Sequence, residues 1–239
     1  FFSLNWKAGG SASSNGNGSI TSSVSANTSA GFSIVSYTGT GSDATVGHGL
    51  GVAPDVVIVK CRSHSANWGV WHTALGATYI MQLDVTNVAW NNSGVFNDTA
   101  PTSSVFSVAG DSGMSGESSK TYIAYCFSGV AGYSKFGSYL GNANANGPFI
   151  YTGFKPAFMI AKNTATTNYW RMWNNKSAPV NPVATGQYPN DPAVEDAPVN
   201  WTVDWLSNGF KVRNDDSEMN GSGNIIIYMA FAEAPFKTF

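Results

Sequence analysis

The chain has 239 residues, 43% of them hydrophobic, which is enough for a packed core and excludes a disordered chain. Charged residues make up 11%, against about 25% in an average soluble domain, and the net charge is -2. That balance gives no electrostatic case for nucleic acid or an anionic membrane as partner. The longest apolar run, residues 225–232, falls far short of the roughly 20 residues a spanning helix needs, so no membrane insertion is expected.

No basic-then-apolar signal segment opens the chain, and its start at Phe1-Phe2 reads as a cut from something longer. Residues 1–10, FFSLNWKAGG, resemble the endings of the modules described below, with Trp6 in the place of Phe127. They are expected to be the remnant of a preceding module. Residues 11–30 are almost entirely Ser, Gly, Asn, Ala and Thr, and read as an extended linker. A first module over residues 31–132 offers short β-rich runs at 32–37, 56–61, 68–71, 105–108 and 120–127. A second, residues 133–239, offers 135–140, 157–162, 169–173, 201–206, 210–213 and 225–231. The last run is apolar on both alternating sets, which predicts a central strand covered on both faces. Asn208-Gly209 and Asn220-Gly221 mark turns, and nothing long repeats at a helical period. The fold class predicted is all-β: two tandem, homologous β-sandwich modules after a short linker.

The homology rests on an internal repeat. Gly51, Pro54, Ile58 and Lys60 recur as Gly153, Pro156, Ile160 and Lys162, each 102 positions on. The same offset carries Ser36-Tyr37 to Ser138-Tyr139, Gly39 to Gly141, and a W-x-x-W pair, Trp68 and Trp71, to Trp170 and Trp173. Later in the unit the match slips. Asp111-Ser112 and Met114 reappear as Asp216-Ser217 and Met219 at 105, and Tyr122 faces Tyr228 at 106.

Catalytic and metal signatures are weak. The two cysteines, Cys61 and Cys126, are too few for a disulfide framework and read as buried thiols, a single bridge being the alternative. Gly110-Asp111-Ser112-Gly113 resembles a serine-protease nucleophile motif, but Met114 stands where that family has Gly, and the copy around Asp216-Ser217 has no histidine in its unit. A polar turn is expected instead. Asp216, Glu218, Asn220 and Gly221 have the spacing of a calcium loop without its closing Glu, so a polar hairpin rather than a metal site is expected. His64 and His72 lack a Cys or carboxylate at a strand-compatible spacing that suggests zinc, and His48, His64 and His72 are all assigned structural or solvent-facing roles. Asp191, Glu195 and Asp196 could supply a glycosidase pair, but a solvated loop is the default. The chain is therefore read as non-enzymatic, with no cofactor.

The aromatics carry the binding hypothesis. Positions i and i+3 of a strand point to opposite faces, so one Trp of each pair should be core and the other outward. An outward ring beside Asn or His suits a sugar, which offers an apolar face and hydrogen-bonding edges. The candidate receptor-binding residues are Trp68, Trp71, His72, Tyr169, Trp170, Trp173, Asn174 and Tyr188.

Several long runs, among them GFSIVSYTGTGSDATVGHGLGVAPDVVIVKCRS, TYIAYCFSGVAGYSKFGSYLGNANANGPFIYTGF and IYMAFAEAPF, resemble a module family of bacteriophage tail-fibre proteins, familiar from marine and cyanobacterial phages. The resemblance covers residues 32–237. It implies a virion tail-fibre component that recognises a host cell-surface glycan or protein, forms a homotrimer by analogy with other fibres, and contacts other tail proteins. Loops vary to suit partners, which makes residues 174–200, longer and richer in Pro than in relatives, the expected specificity loop. An architectural role, with the receptor tip elsewhere, is the alternative; a capsule depolymerase ranks third.

Overall fold

The computed structural model describes residues 5–192 and 200–233. Contacts divide the chain into two compact units, Phe1–Gln82 with Trp90–Gly129, and Leu83–Ala89 with Val130–Phe239. The expected boundary after residue 132 thus falls at Gly129, and 83–89 belongs with the second unit, where the Ala89 N–H donates to the Thr164 carbonyl at 2.8 Å.

In the first unit the strands are β1 (Ser13–Asn15), β2 (Ser22–Asn27), β3 (Phe32–Thr38), β4 (Ala44–Gly47), β5 (Val56–Cys61), β6 (Gly69–His72), β7 (Tyr79–Gln82), β8 (Trp90–Asn91), β9 (Val105–Val108) and β10 (Thr121–Phe127), with one helical turn, α1 (Ser93–Phe96). Eight form an antiparallel sheet in the order β1-β2-β3-β10-β5-β6-β7-β8. Because side chains alternate across a strand, Val35 and Tyr37, Tyr122, Ala124 and Cys126, and Val57 and Val59 share one face. The β4–β9 ribbon covers that face with Val46, Phe106 and Val108, and closes the core.

Residues 11–30 are not a linker. β2 pairs with β3 from Ser23↔Ser36 to Asn27↔Phe32, β1 pairs with β2, and Ile20 and Val24 enter the core. A Ser- and Ala-rich segment has the composition of a linker, but a sheet ladder uses backbone groups, and Val24 falls on the inward set. The described part of residues 1–10 also belongs here: Trp6 packs edge-on to Phe127, 5.7 Å between centroids.

The second unit contains β11 (Ser134–Leu140), β12 (Phe149–Tyr151), β13 (Pro156–Asn163), β14 (Arg171–Asn174), β15 (Val203–Leu206), β16 (Gly209–Val212) and β17 (Ile225–Ala232), with the helical turn α2 (Ser217–Asn220). One sheet runs β11-β17-β13-β14, the other β12-β16-β15. Met159, Trp173, Ile226 and Tyr228 of the first share a core with Ile150, Val203, Phe210 and Val212 of the second, which is a sandwich-like arrangement. β17 is central, paired on both sides and buried from residue 226 to residue 231, as its two-sided apolar pattern predicts.

The two units share a strand order and a register. β3-β10-β5-β6 matches β11-β17-β13-β14. Phe32, Phe127, Val56 and His72 lie opposite one another in turn, and Ser134, Phe231, Phe158 and Asn174 do the same. Three of these positions shift by 102, as expected. The central strand shifts by 104 rather than 106, so Tyr122 corresponds to Ile226 and not to Tyr228. The preceding loop also shifts by 104, not 105. The Tyr37 hydroxyl donates to the Ser115 carbonyl and the Tyr139 hydroxyl to the Met219 carbonyl, both at 2.8 Å. A recurring Asp-Ser pair suggested the longer offset, but hydrogen bonds set the register. Asn208-Gly209 sits at the β15–β16 hairpin as predicted. Asn220-Gly221 instead ends α2, whose N-cap Asp216 accepts the Glu218 N–H at 2.8 Å, in place of the expected hairpin. Cys61 and Cys126 are free and buried.

Trimming a strand residue that packs into the core should cost stability, whereas trimming a linker residue should not. Val24→Ala is therefore expected to lower unfolding free energy by about 1–2 kcal/mol, read as a lower urea midpoint at unchanged m-value; an unchanged midpoint would restore the linker reading.

Candidate binding surface

The W-x-x-W pairs are placed by the strands that follow them. Trp71 in β6 and Trp173 in β14 point into their cores, 4% and 0% exposed. The Trp173 indole N–H donates to the Trp201 carbonyl at 3.2 Å. Trp68 and Trp170 lie just before their strands, so the alternation rule does not govern them. Trp68 is half-buried, stacked on Tyr125 at 6.3 Å, with the Lys60 ammonium 5.7 Å from its ring. Trp170 is 3% exposed, and its backbone N–H donates to Asn190 Oδ1 at 3.1 Å. Trp71, Trp170 and Trp173 are therefore corrected from candidate receptor contacts to packing residues.

His72 and Asn174 are corrected likewise. Both are buried, and they occupy the same register position. His72 Nδ1 accepts the Ala74 N–H at 3.1 Å, and Asn174 Oδ1 accepts the Lys176 and Ser177 N–H groups at 2.9 Å each. Each side chain closes the turn after its strand, which is the shared requirement behind two different residue types. His48 is also buried, within 3.1 Å of the Thr102 carbonyl. His64 touches both a cysteine and a carboxylate, Cys61 Sγ at 3.0 Å and Glu117 Oε2 at 3.6 Å.

Tyr169 and Tyr188 do come together, 5.3 Å apart and edge to face. What joins them is Arg171, whose guanidinium lies 4.5 Å from the Tyr188 centroid, 4.7 Å from Trp201 and 5.8 Å from Tyr169. Glu218 forms an ion pair with it. The cluster is an aromatic box occupied by the chain's own cation, and only Tyr169 is substantially exposed. Of the expected specificity loop and acidic cluster, residues 193–199, including Glu195 and Asp196, lie outside the described residues.

The most exposed pair of aromatics on one strand was not among the sequence candidates. On β12, Ile150 enters the core while Phe149 and Tyr151, 47% and 58% exposed, share the outer face. The Lys135 ammonium lies 5.4 Å from the Tyr151 ring and donates to its carbonyl at 2.9 Å. Lys211 stands opposite Phe149, and Asp204 opposite Lys211, itself paired with Arg213 at 3.3 Å. Gly209 stands opposite Tyr151, where a Cβ would collide first with the Ile150 carbonyl oxygen and then meet the Phe149 ring at 3.0 Å. Two rings thus form a ledge edged by cations and a carboxylate. The signal was present as the alternation Phe-Ile-Tyr, in a run too short to register as a strand.

Residues 1–235 match a family model described as a domain of unknown function, DUF7483. The chain belongs to this family. No curated protein and no solved structure matches the chain. One DUF7483 model therefore spans both units.

The second unit of this DUF7483 domain also buries a lysine. Lys162 is fully covered, and its ammonium donates to the Asn163 and Thr166 carbonyls at 2.8 and 2.9 Å. Burial, and then the nearby Arg171 guanidinium, lower its pKa to about 8. Below that pH both folded and unfolded chains carry the proton, and the folded state bears the full penalty. Between pH 8 and the unfolded lysine value the unfolded chain binds more protons, so stability rises with pH. The difference between wild type and Lys162→Met should move in favour of wild type by about 2 kcal/mol from neutral pH to about pH 10. Urea titrations of both proteins across that range check it, and a pH-independent difference would refute it.

Proposed function

We propose that the chain is a non-enzymatic attachment module of a bacteriophage tail fibre, which binds a host cell-surface glycan and works as a homotrimer alongside other tail proteins. The observation that carries this reading is the Phe149–Tyr151 ledge. Its rings offer apolar faces to a pyranose, and Lys135, Lys211 and Asp204 supply hydrogen-bonding groups around them. A low charge content suits a neutral saccharide, because such a ligand needs stacking and hydrogen bonds rather than long-range attraction. The sequence resemblance to tail-fibre modules supplies the virion context.

A second reading, an architectural fibre module with its receptor tip elsewhere, draws support from the burial of Trp71, Trp170 and Trp173. The two readings diverge on the ledge. If attachment is correct, the purified protein binds host cells and individual glycans on an array, and excess protein blocks phage adsorption. Phe149→Ala/Tyr151→Ala then weakens that binding at least about tenfold, the loss of one or two stacking contacts, with the melting temperature little changed. Normal adsorption by phage carrying the double substitution would favour the architectural reading.

A further inference from the structure

Cys61 ends β5, and the turn after it folds His64 back over the sulfur. Cys61 Sγ and His64 Nδ1 are 3.0 Å apart, and on the other side of the ring His64 Nε2 faces Glu117 Oε2 at 3.6 Å. Glu117 comes from the loop before β10, and its N–H donates to the Tyr122 hydroxyl at 3.0 Å, which fixes that loop. A thiol, an imidazole and a carboxylate therefore stand in line. With the proton on Nε2, Nδ1 is free to accept from the thiol, and Nε2 faces the carboxylate at ion-pair distance once the ring is protonated.

The fold does not require this trio. At the corresponding positions the second unit has Asn163, Thr166 and Gly221, and it builds the same strands without them. Next to the trio opens a cleft of about 350 Å³ lined by His64, Asn67, Gln82, Ser112, Gly113 and Met114. A side chain at Gly113 would come within 3.0 Å of His64 Nε2, so the glycine leaves room for the imidazole to meet Glu117. The His64 ring, 28% exposed, is the partition between the sulfur and the cleft.

We propose that Cys61 is a reactive thiol and a site of reversible S-thiolation, with His64 as its proton acceptor and Glu117 as the positioning residue for the imidazole. The co-reactant is a small disulfide or thiosulfonate admitted through the cleft when the His64 ring turns aside. Cys61 Sγ gives its proton to His64 Nδ1 and attacks one sulfur of the reagent. A new S–S bond forms, the reagent's own S–S or S–SO₂ bond breaks, and the leaving sulfur departs as thiolate or sulfinate with the electron pair. Cys61 is thereby oxidised to a mixed disulfide and the leaving group reduced; a thiolate leaving group takes the proton from His64.

The sulfur's surroundings support ionisation. Burial pushes its pKa up, but the Ser63 N–H and hydroxyl, the His64 N–H and the Tyr122 hydroxyl bring it down, and the resultant is below the ordinary thiol value. The titratable groups facing it are His64 on its own turn, Tyr122 from β10 and Tyr37 from β3, while Glu117 reaches it through His64. Cys126, one strand away, is a control within the same molecule: burial pushes its pKa up to about 12.

The test treats the full chain with methyl methanethiosulfonate near neutral pH and follows both cysteines by peptide mass spectrometry. Cys61 is expected to react at least about tenfold faster than Cys126, and dithiothreitol should reverse the reaction. Glu117→Gln, at a partly exposed position, and His64→Ala should each slow Cys61 several-fold, leave Cys126 unchanged, and move the rise of the Cys61 rate to higher pH. Equal rates at both cysteines, or a Cys61 rate and pH profile indifferent to His64 and Glu117, would overturn the proposal. Neither result bears on glycan attachment, which depends on the other unit.

Discussion

In each unit a buried tyrosine hydroxyl holds down the loop that leads into the central strand. Tyr37 and Tyr139 project from the strand beside it and donate to the Ser115 and Met219 carbonyls. Both phenols are covered, and a buried hydroxyl without an acceptor costs about 1–3 kcal/mol, so the loop must return to this one point. Glycine follows two residues later in each case, and a side chain at Gly39 or Gly141 would collide with the same loop's backbone. Burial also raises the pKa of Tyr37 and Tyr139, which keeps each hydroxyl a donor. The site geometry follows from this anchor. Ser112, Gly113 and Glu117 lie on the loop held by Tyr37, and Glu218 lies on the turn held by Tyr139.

The strands were the most legible part of the sequence. All eleven runs of alternating or apolar residues became strands within a few residues of their expected ends, because periodicity reports directly on burial. Strands with few or no apolar residues, or too short to show a period, escaped notice. β1 and β2 are made of Ser, Asn, Ala and a single Val, and β12 has three residues. Their place in the fold comes from neighbours that offer free backbone groups, and that information is spread over distant parts of the chain.

The candidate site was only partly legible, for a related reason. A repeated tryptophan marks what a fold needs twice, and here the need was packing, so a repeat led away from the surface. Residues that differ between the units are more informative about function. Cys61, His64 and Glu117 give way to Asn163, Thr166 and Gly221 in the second unit, and Phe149 and Tyr151 lie on a third strand beside the β15–β16 hairpin, where the first unit has the two-stranded β4–β9 ribbon. The contact of His64 with Cys61 was within reach of the sequence, three residues apart, but Glu117 joins them only through the fold.

The box around Arg171 has a consequence for ligand choice. Three ring faces that could attract a quaternary ammonium or a protonated amine already hold a guanidinium tethered to the same backbone. A soluble cation would compete against a neighbour whose effective concentration is set by the chain itself, and at ordinary millimolar levels it loses. An uncharged guest on the exposed side of Tyr169 would meet no such rival, so the guanidinium already in the box would disfavour positive ligands there by both occupancy and charge.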